Sequence, residues 1–118
     1  MPKKPPPEVE AYLSKLPGNQ RRTILELRNA LLRANSALVE SLNPWGYITF
    51  STPTARYAFT IVPHPSHANL QIFNGAELAA EFPQLEGTGK NLRHIKFLYG
   101  EPVDRALVSR AVRRSMAT

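Results

Sequence analysis

The chain of 118 residues is long enough to bury roughly two thirds of its unfolded surface in one core, and its lack of cysteine excludes disulfides, thiolate metal sites and cysteine nucleophiles together. Fifteen lysines and arginines against nine acids give a formal charge of +6, which either favours encounter with phosphate-bearing or acidic partners or belongs to a merely solvated surface. No apolar run approaches the roughly 20 residues of a membrane span, and the opening MPKKPPP lacks the apolar centre of a signal peptide. A cytoplasmic protein with no membrane partner is expected.

Residues 1–7 mix lysine with four prolines, a composition that resists helix and sheet, so they read as a short basic tail ahead of one domain spanning 8–118. From Glu8 the pattern turns helical: Val9, Tyr12, Leu13 and Leu16 share a face until Pro17 and Gly18 stop it, which predicts a first helix over 8–16. Ile24, Leu27, Leu31 and Ala34 form the stripe of a second helix, widened by Leu25 and Leu32. Arg21, Arg22, Arg28 and Arg33 fall mainly outside this stripe and read as its solvated face.

After Asn35 the chain changes character. Segments 47–51, 56–62 and 70–73 are rich in β-branched and aromatic residues and are separated by prolines, which predicts antiparallel strands, with 38–42 as a further strand. Tyr57, Phe59 and Ile61 alternate with Ala58, Thr60 and Val62, as expected of a sheet covered on one side by helices. Leu78, Ala79 and Phe82 suggest a short helix over 76–82, ended by Pro83. In the strand expected at 92–97, Arg93 shares a face with Ile95 and Phe97, while His94 and Lys96 face the other way. An arginine on the core side needs a carboxylate or a bound anion to offset its desolvation. Finally, 103–116 reads as an amphipathic helix entered through Pro102, with arginines near its end that complement the negative pole of its dipole. The chain is thus expected to be an α+β domain, an antiparallel β-sheet packed by N-terminal helices and a C-terminal helix.

Six segments together resemble the YdhG-like family of small bacterial domains: VEAYLSKLP with RRTILELRNALL, NPWGYITFS, YAFTIV, LQIFNGAEL and, most specifically, LEGTGKNLRHIKF. The resemblance covers nearly the whole chain after the tail and implies a frataxin-like arrangement, with a general suggestion of ligand or metal handling. One branch of that grouping resembles iron chaperones that hold iron through an acidic ridge. Here Glu8, Glu10 and Glu26 are interleaved with Lys15, Arg21, Arg22 and Arg28, which departs from such a ridge.

The turn at Gly87, Gly89 and Lys90 is the first candidate site. Glycine lets backbone N–H groups converge on an anion, and Lys90 and Arg93 would add charge. A nucleotide-hydrolysing loop is excluded, because Gln84 stands where its first glycine belongs and Asn91 where a Ser or Thr would hold magnesium. The alternative is a plain turn in which the two glycines adopt positive backbone angles. Trp45, between Pro44 and Gly46, reads either as a core anchor or as the apolar wall of a pocket with Lys90 and Arg93 at its mouth. His64 and His67 have a spacing two metal ligands can share but no evident third ligand, and His94 beside Lys96 is a solvent-facing histidine. No cofactor fingerprint, catalytic residue set or resident metal site emerges. The leading expectation is a non-enzymatic module for a small anionic or phosphate-bearing ligand at Trp45, Gly87, Gly89, Lys90 and Arg93. Iron handling and weak nucleic-acid binding are the alternatives, and exposed strand edges would allow a homodimer.

Overall fold

In the computed structural model, which describes residues 3–117, helices α1 (Pro7–Ser14) and α2 (Gly18–Ala34) come first. The first two residues of the basic tail lie outside the described residues; of the rest, Pro7 already belongs to α1, where a residue without an N–H costs the helix nothing. The break between the two helices is held by Arg21. Its Nε donates to Leu13 O at 2.9 Å, which also accepts the Leu16 N–H, and its Nη2 to Leu16 O at 2.8 Å, just past the end of α1. Arg21 is therefore a helix-end clasp as well as a surface residue.

Strands β1 (Val39–Leu42), β2 (Ile48–Ser51), β3 (Phe59–Pro63) and β4 (His67–Ile72) follow as successive hairpins. A single turn of helix, α3 (Gly75–Leu78), leads to β5 (Leu85–Glu86), β6 (Arg93–Leu98) and the closing helix α4 (Arg105–Ala117). The six strands form one antiparallel sheet in the order β1-β2-β3-β4-β6-β5. The α+β architecture expected from the sequence is the one observed, with helices from both ends of the chain on the sheet.

The strand register explains the core. Ile48, Ile61, Leu70 and Ile95 stand in one row across four strands, and Phe50, Phe59, Ile72 and Arg93 in the next row on the same face. All of these except Arg93 are buried. Ile24, Leu27 and Leu31 of α2 and Leu107, Val108, Ala111 and Val112 of α4 complete the same cluster, with α2 packed against α4, β3 and β4. The opposite face of the sheet carries Thr49, Thr60, Gln71, His94 and Lys96. There Thr49 and Thr60 bury their hydroxyls against each other at 2.8 Å.

Several boundaries differ from the expected ones for identifiable reasons. The middle strand begins at Phe59 instead of 56, because Tyr57 has φ 54° and belongs to a turn. Its N–H is taken by Ser51 Oγ and its ring by the Arg56 guanidinium, 4.9 Å from the ring centre. The helix expected over 76–82 is one turn long, and β5, two residues long, carries no periodicity by which it could have been foreseen.

Arg28 is the principal correction in the helices. It sits four residues after Ile24 and three before Leu31, hence on the buried stripe, while Leu25 is the residue turned outward. Its side chain is 2% exposed and bridges to the Glu40 carboxylate on β1 through Nε–Oε2 and Nη2–Oε1, both 2.8 Å, with Asn29 Oδ1 accepting from Nη1. The pair fastens the edge strand to α2. Removing one partner strands a buried charge, so Arg28→Ala or Glu40→Ala should each cost about 3–5 kcal/mol in urea unfolding, whereas the joint replacement Arg28→Met with Glu40→Leu should recover most of that loss.

Candidate functional site

The turn before β6 is built around Arg93. Its Nε donates to Gly87 O at 3.0 Å and its Nη1 to Gly89 O at 2.7 Å, so the guanidinium fork is wrapped by the turn's own carbonyls. This supplies the partner that an arginine on the core-facing side of the strand requires. The polarity is the reverse of an anion cradle: carbonyl oxygens point inward, and what the turn holds is a cation. Gly87 has φ 117°, as a residue in this region needs to be glycine. Gly89 does not share that conformation; its constraint is space, since a Cβ there would stand 3.0 Å from Leu92 O. Lys90 projects from the exposed turn with no carboxylate partner among the described residues.

Trp45 is not part of this arrangement. It lies in the β1–β2 hairpin, 73% exposed, where Asn43 Oδ1 accepts the backbone N–H groups of Trp45 and Tyr47 and Gly46 takes φ 85°. The sheet order sets this hairpin at the edge opposite β5 and β6. Register also sets it at the opposite end, because the row of Ile48 runs to Ile95, two residues beyond Arg93. Both readings of Trp45, core anchor and pocket wall, are thereby corrected; an aromatic between Pro44 and Gly46 at a hairpin tip has no neighbouring layer to bury it.

What the turn does approach is α3, and α3 in turn packs on α4. Asn91 O accepts from Ala76 N at 2.9 Å, and Gly75 presses so closely on β6 that an added Cβ would lie 2.5 Å from Arg93 Cβ. Next to it, Asn74 Nδ2 donates to Ser115 O at 3.0 Å and Ser115 Oγ to Asn74 Oδ1 at 2.6 Å, a buried exchange that joins α3 to α4. Just after α3, Glu81 grips Arg114 with contacts of 2.6 to 3.0 Å, and this hydrogen bonding lowers the Glu81 pKa from its ordinary value.

Between these pieces opens a cleft of about 310 Å³ lined by Glu81, Phe82, Arg110, Arg113 and Arg114. Arg114 is matched by Glu81, while Arg110 and Arg113 are exposed and have no carboxylate partner among the described residues. The spacing of Arg110 and Arg113, three residues apart on one helix, was visible in the sequence and places both on one side of α4. Their meeting with Phe82, which arrives from the other side of the sheet's last two strands in the chain, was not.

His67 and His94 stand on the face of the sheet opposite the row of Ile61 and Leu70, with His64 just beyond β3. His64 and His67 stack with ring centres 4.8 Å apart, Asn69 Nδ2 lies 3.2 Å from His64 Nε2, and Ser66 Oγ lies 3.1 Å from His67 Nδ1. Glu86 Oε1 stands 3.4 Å from His94 Nε2 and 4.0 Å from Lys96 Nζ. Among the described residues no carboxylate forms an ion pair with His67, so the serine–histidine contact lacks the third member of a nucleophilic set. Among the described residues no three metal-ligating side chains converge. Glu26 instead accepts the backbone N–H of Val103, at 3.4 Å. On the first helix, the Tyr12 hydroxyl is buried without a hydrogen-bond partner, and its pKa is pushed up to about 12 by that burial and by the nearby Tyr47 and Tyr99.

Compared with protein-family models, with curated proteins and with solved structures, the chain has no significant match.

Two outcomes follow from these contacts. Replacing Arg93 with Lys removes the planar fork that spans both carbonyls, so amide hydrogen exchange should accelerate across 87–91, with local opening easier by on the order of 1 kcal/mol while the central strands stay protected. His67, whose protonated form is disfavoured by its desolvation and by the neighbouring His64 and Lys96, should titrate by NMR below the ordinary histidine value. His64→Ala should move that midpoint upward.

Proposed function

We propose that this protein is a non-enzymatic binding module for a small anionic or phosphate-bearing ligand, with the binding groups gathered where α3 meets the last half of α4. The observation that carries the reading is the cleft lined by Arg110 and Arg113, two exposed guanidinium groups without carboxylate partners among the described residues, beside the buried Phe82. Guanidinium forks match the oxygens of phosphate and carboxylate groups, and Phe82, buried in the core, closes the bottom of the cleft. Lys90 carries further charge on the turn that Asn91 joins to α3, outside the lining of the cleft, and Arg93 acts as the residue that shapes the turn. Glu81 holds Arg114 and leaves the other two arginines to the ligand.

The order of elements and the segment LEGTGKNLRHIKF support a place for the chain among the YdhG-like domains. The iron-handling reading gains no ligand set from the described residues. A polyanion would be attracted by the same arginines, but the logarithm of its affinity would fall steeply with the logarithm of salt concentration.

Calorimetric titration with inorganic pyrophosphate at moderate salt tests the proposal. Saturable binding that weakens roughly tenfold or more in Arg110→Gln with Arg113→Gln, and less in Lys90→Ala, is the expected result. Affinity unchanged in the double variant would refute the assignment of these groups.

A further inference from the structure

The cleft beside Phe82 holds a third guanidinium, that of Arg114, which Glu81 already occupies. Arg114 Nη2 donates to Glu81 Oε1 at 2.6 Å, and Arg114 Nε lies 3.0 Å from both carboxylate oxygens. The Glu81 carboxylate thus sits on Arg114 as the carboxylate or phosphate of a ligand would. Arg110 and Arg114 are one helical turn apart on α4, with Arg113 between them in sequence. Among the described residues that line the cleft, three guanidinium groups therefore face a single carboxylate.

The pair can part without disturbing the fold. Both side chains are 49% exposed, and ion pairs in such contact with solvent are weak and sensitive to salt. The backbone at this point is held by other contacts: Glu81 N–H and Phe82 N–H both donate to Leu78 O, Leu85 N–H donates to Phe82 O, and the Phe82 side chain is buried. Turning the Glu81 carboxylate away therefore needs only rotation about its side-chain bonds. On α4, the neighbouring Ser115 is fastened to Asn74, so the backbone that carries Arg114 keeps its place when Glu81 leaves.

We infer that Arg114 is a third anion-binding group of this cleft, held by Glu81 until a ligand with a third phosphate group displaces that carboxylate, so that the site selects a linear triphosphate chain over shorter phosphates. Pyrophosphate fills the two open guanidinium groups and has no further phosphate with which to replace Glu81. A chain of three phosphates brings the additional oxygens and charge, and the Arg114 fork exchanges one oxyanion for another. Phe82, the aromatic residue among the described lining residues, is buried and leaves no exposed ring on which a base could stack. The phosphate chain itself is what the site reads. The inference rests on the anion reading of the cleft and adds to it the class of ligand and the residue that enforces it.

The test is calorimetric titration of the wild-type chain, Glu81→Gln and Arg114→Gln with inorganic tripolyphosphate, pyrophosphate and adenosine triphosphate, in magnesium-free buffer at moderate salt. The wild type should bind tripolyphosphate about tenfold more tightly than pyrophosphate. Glu81→Gln should widen that ratio about threefold or more, because only the longer chain uses the freed group, and Arg114→Gln should narrow it by a similar factor. Loss of the Glu81 charge without such an exchange would tighten both ligands alike and leave the ratio unchanged. Adenosine triphosphate should bind no more tightly than tripolyphosphate. A ratio unchanged in either variant while pyrophosphate binding still depends on Arg110 and Arg113, or tighter binding of adenosine triphosphate, would overturn this inference and leave the anion reading standing. No saturable binding of either inorganic phosphate would overturn both.

Discussion

The end of the molecule proposed here to receive anions depends on how one arginine is accommodated. Arg93 begins β6 on the helix-covered face, in the row of Phe50, Phe59 and Ile72, where an unpartnered guanidinium would be costly. The turn from Gly87 to Gly89 folds its carbonyls onto that group, and the shape of the turn is the consequence. Since Gly75 lies against the Arg93 backbone and Cβ, α3 is set by the same residue. Through Asn74 and Ser115, α3 in turn fixes the last half of α4, and with it the position of Arg110 and Arg113 relative to Phe82. The arginine that would have been the obvious anion ligand is thus the one that builds the place where others can serve.

A comparable inversion of charge and role occurs in the core. Arg28 has the chemistry of a surface residue and the spacing of a buried one, and the spacing wins because Glu40 on the adjacent edge strand meets it with two parallel hydrogen bonds. Edge strands are natural sites of unwanted pairing; here β1 is tied to the central helix. The sheet's other edge is closed only in part, by the two residues of β5.

Most of the architecture was legible in the sequence because it is written in periodicity. The stripe of Ile24, Leu27 and Leu31 specified α2, and the alternation of Phe59 and Ile61 with Thr60 and Val62 specified a sheet covered on one face. What failed to show were features without a period: two-residue β5, the turn at Tyr57 with its positive φ, and the identity of Arg28 as a paired core residue. The glycine turn was recognisable as a turn and Arg93 as its charged neighbour, but which backbone groups face inward is decided by local dihedral angles that composition does not encode. Trp45 shares only chemical type with that turn, and both strand order and register separate them. Conversely, Arg110 and Arg113 were read as complements to the dipole of α4. Their proximity to Phe82 is a tertiary contact across roughly thirty residues of chain and leaves no local trace.

The central claim is that anions are received at one end of the domain, in the cleft beside Phe82, Arg110 and Arg113. The most direct measurement is an NMR titration of the labelled protein with inorganic pyrophosphate, following backbone amides and arginine side-chain N–H signals. The account predicts saturable shifts concentrated at Phe82, Lys90, Arg110 and Arg113, with the β1–β2 hairpin around Trp45 unmoved. Shifts centred elsewhere, or none that saturate, would contradict it.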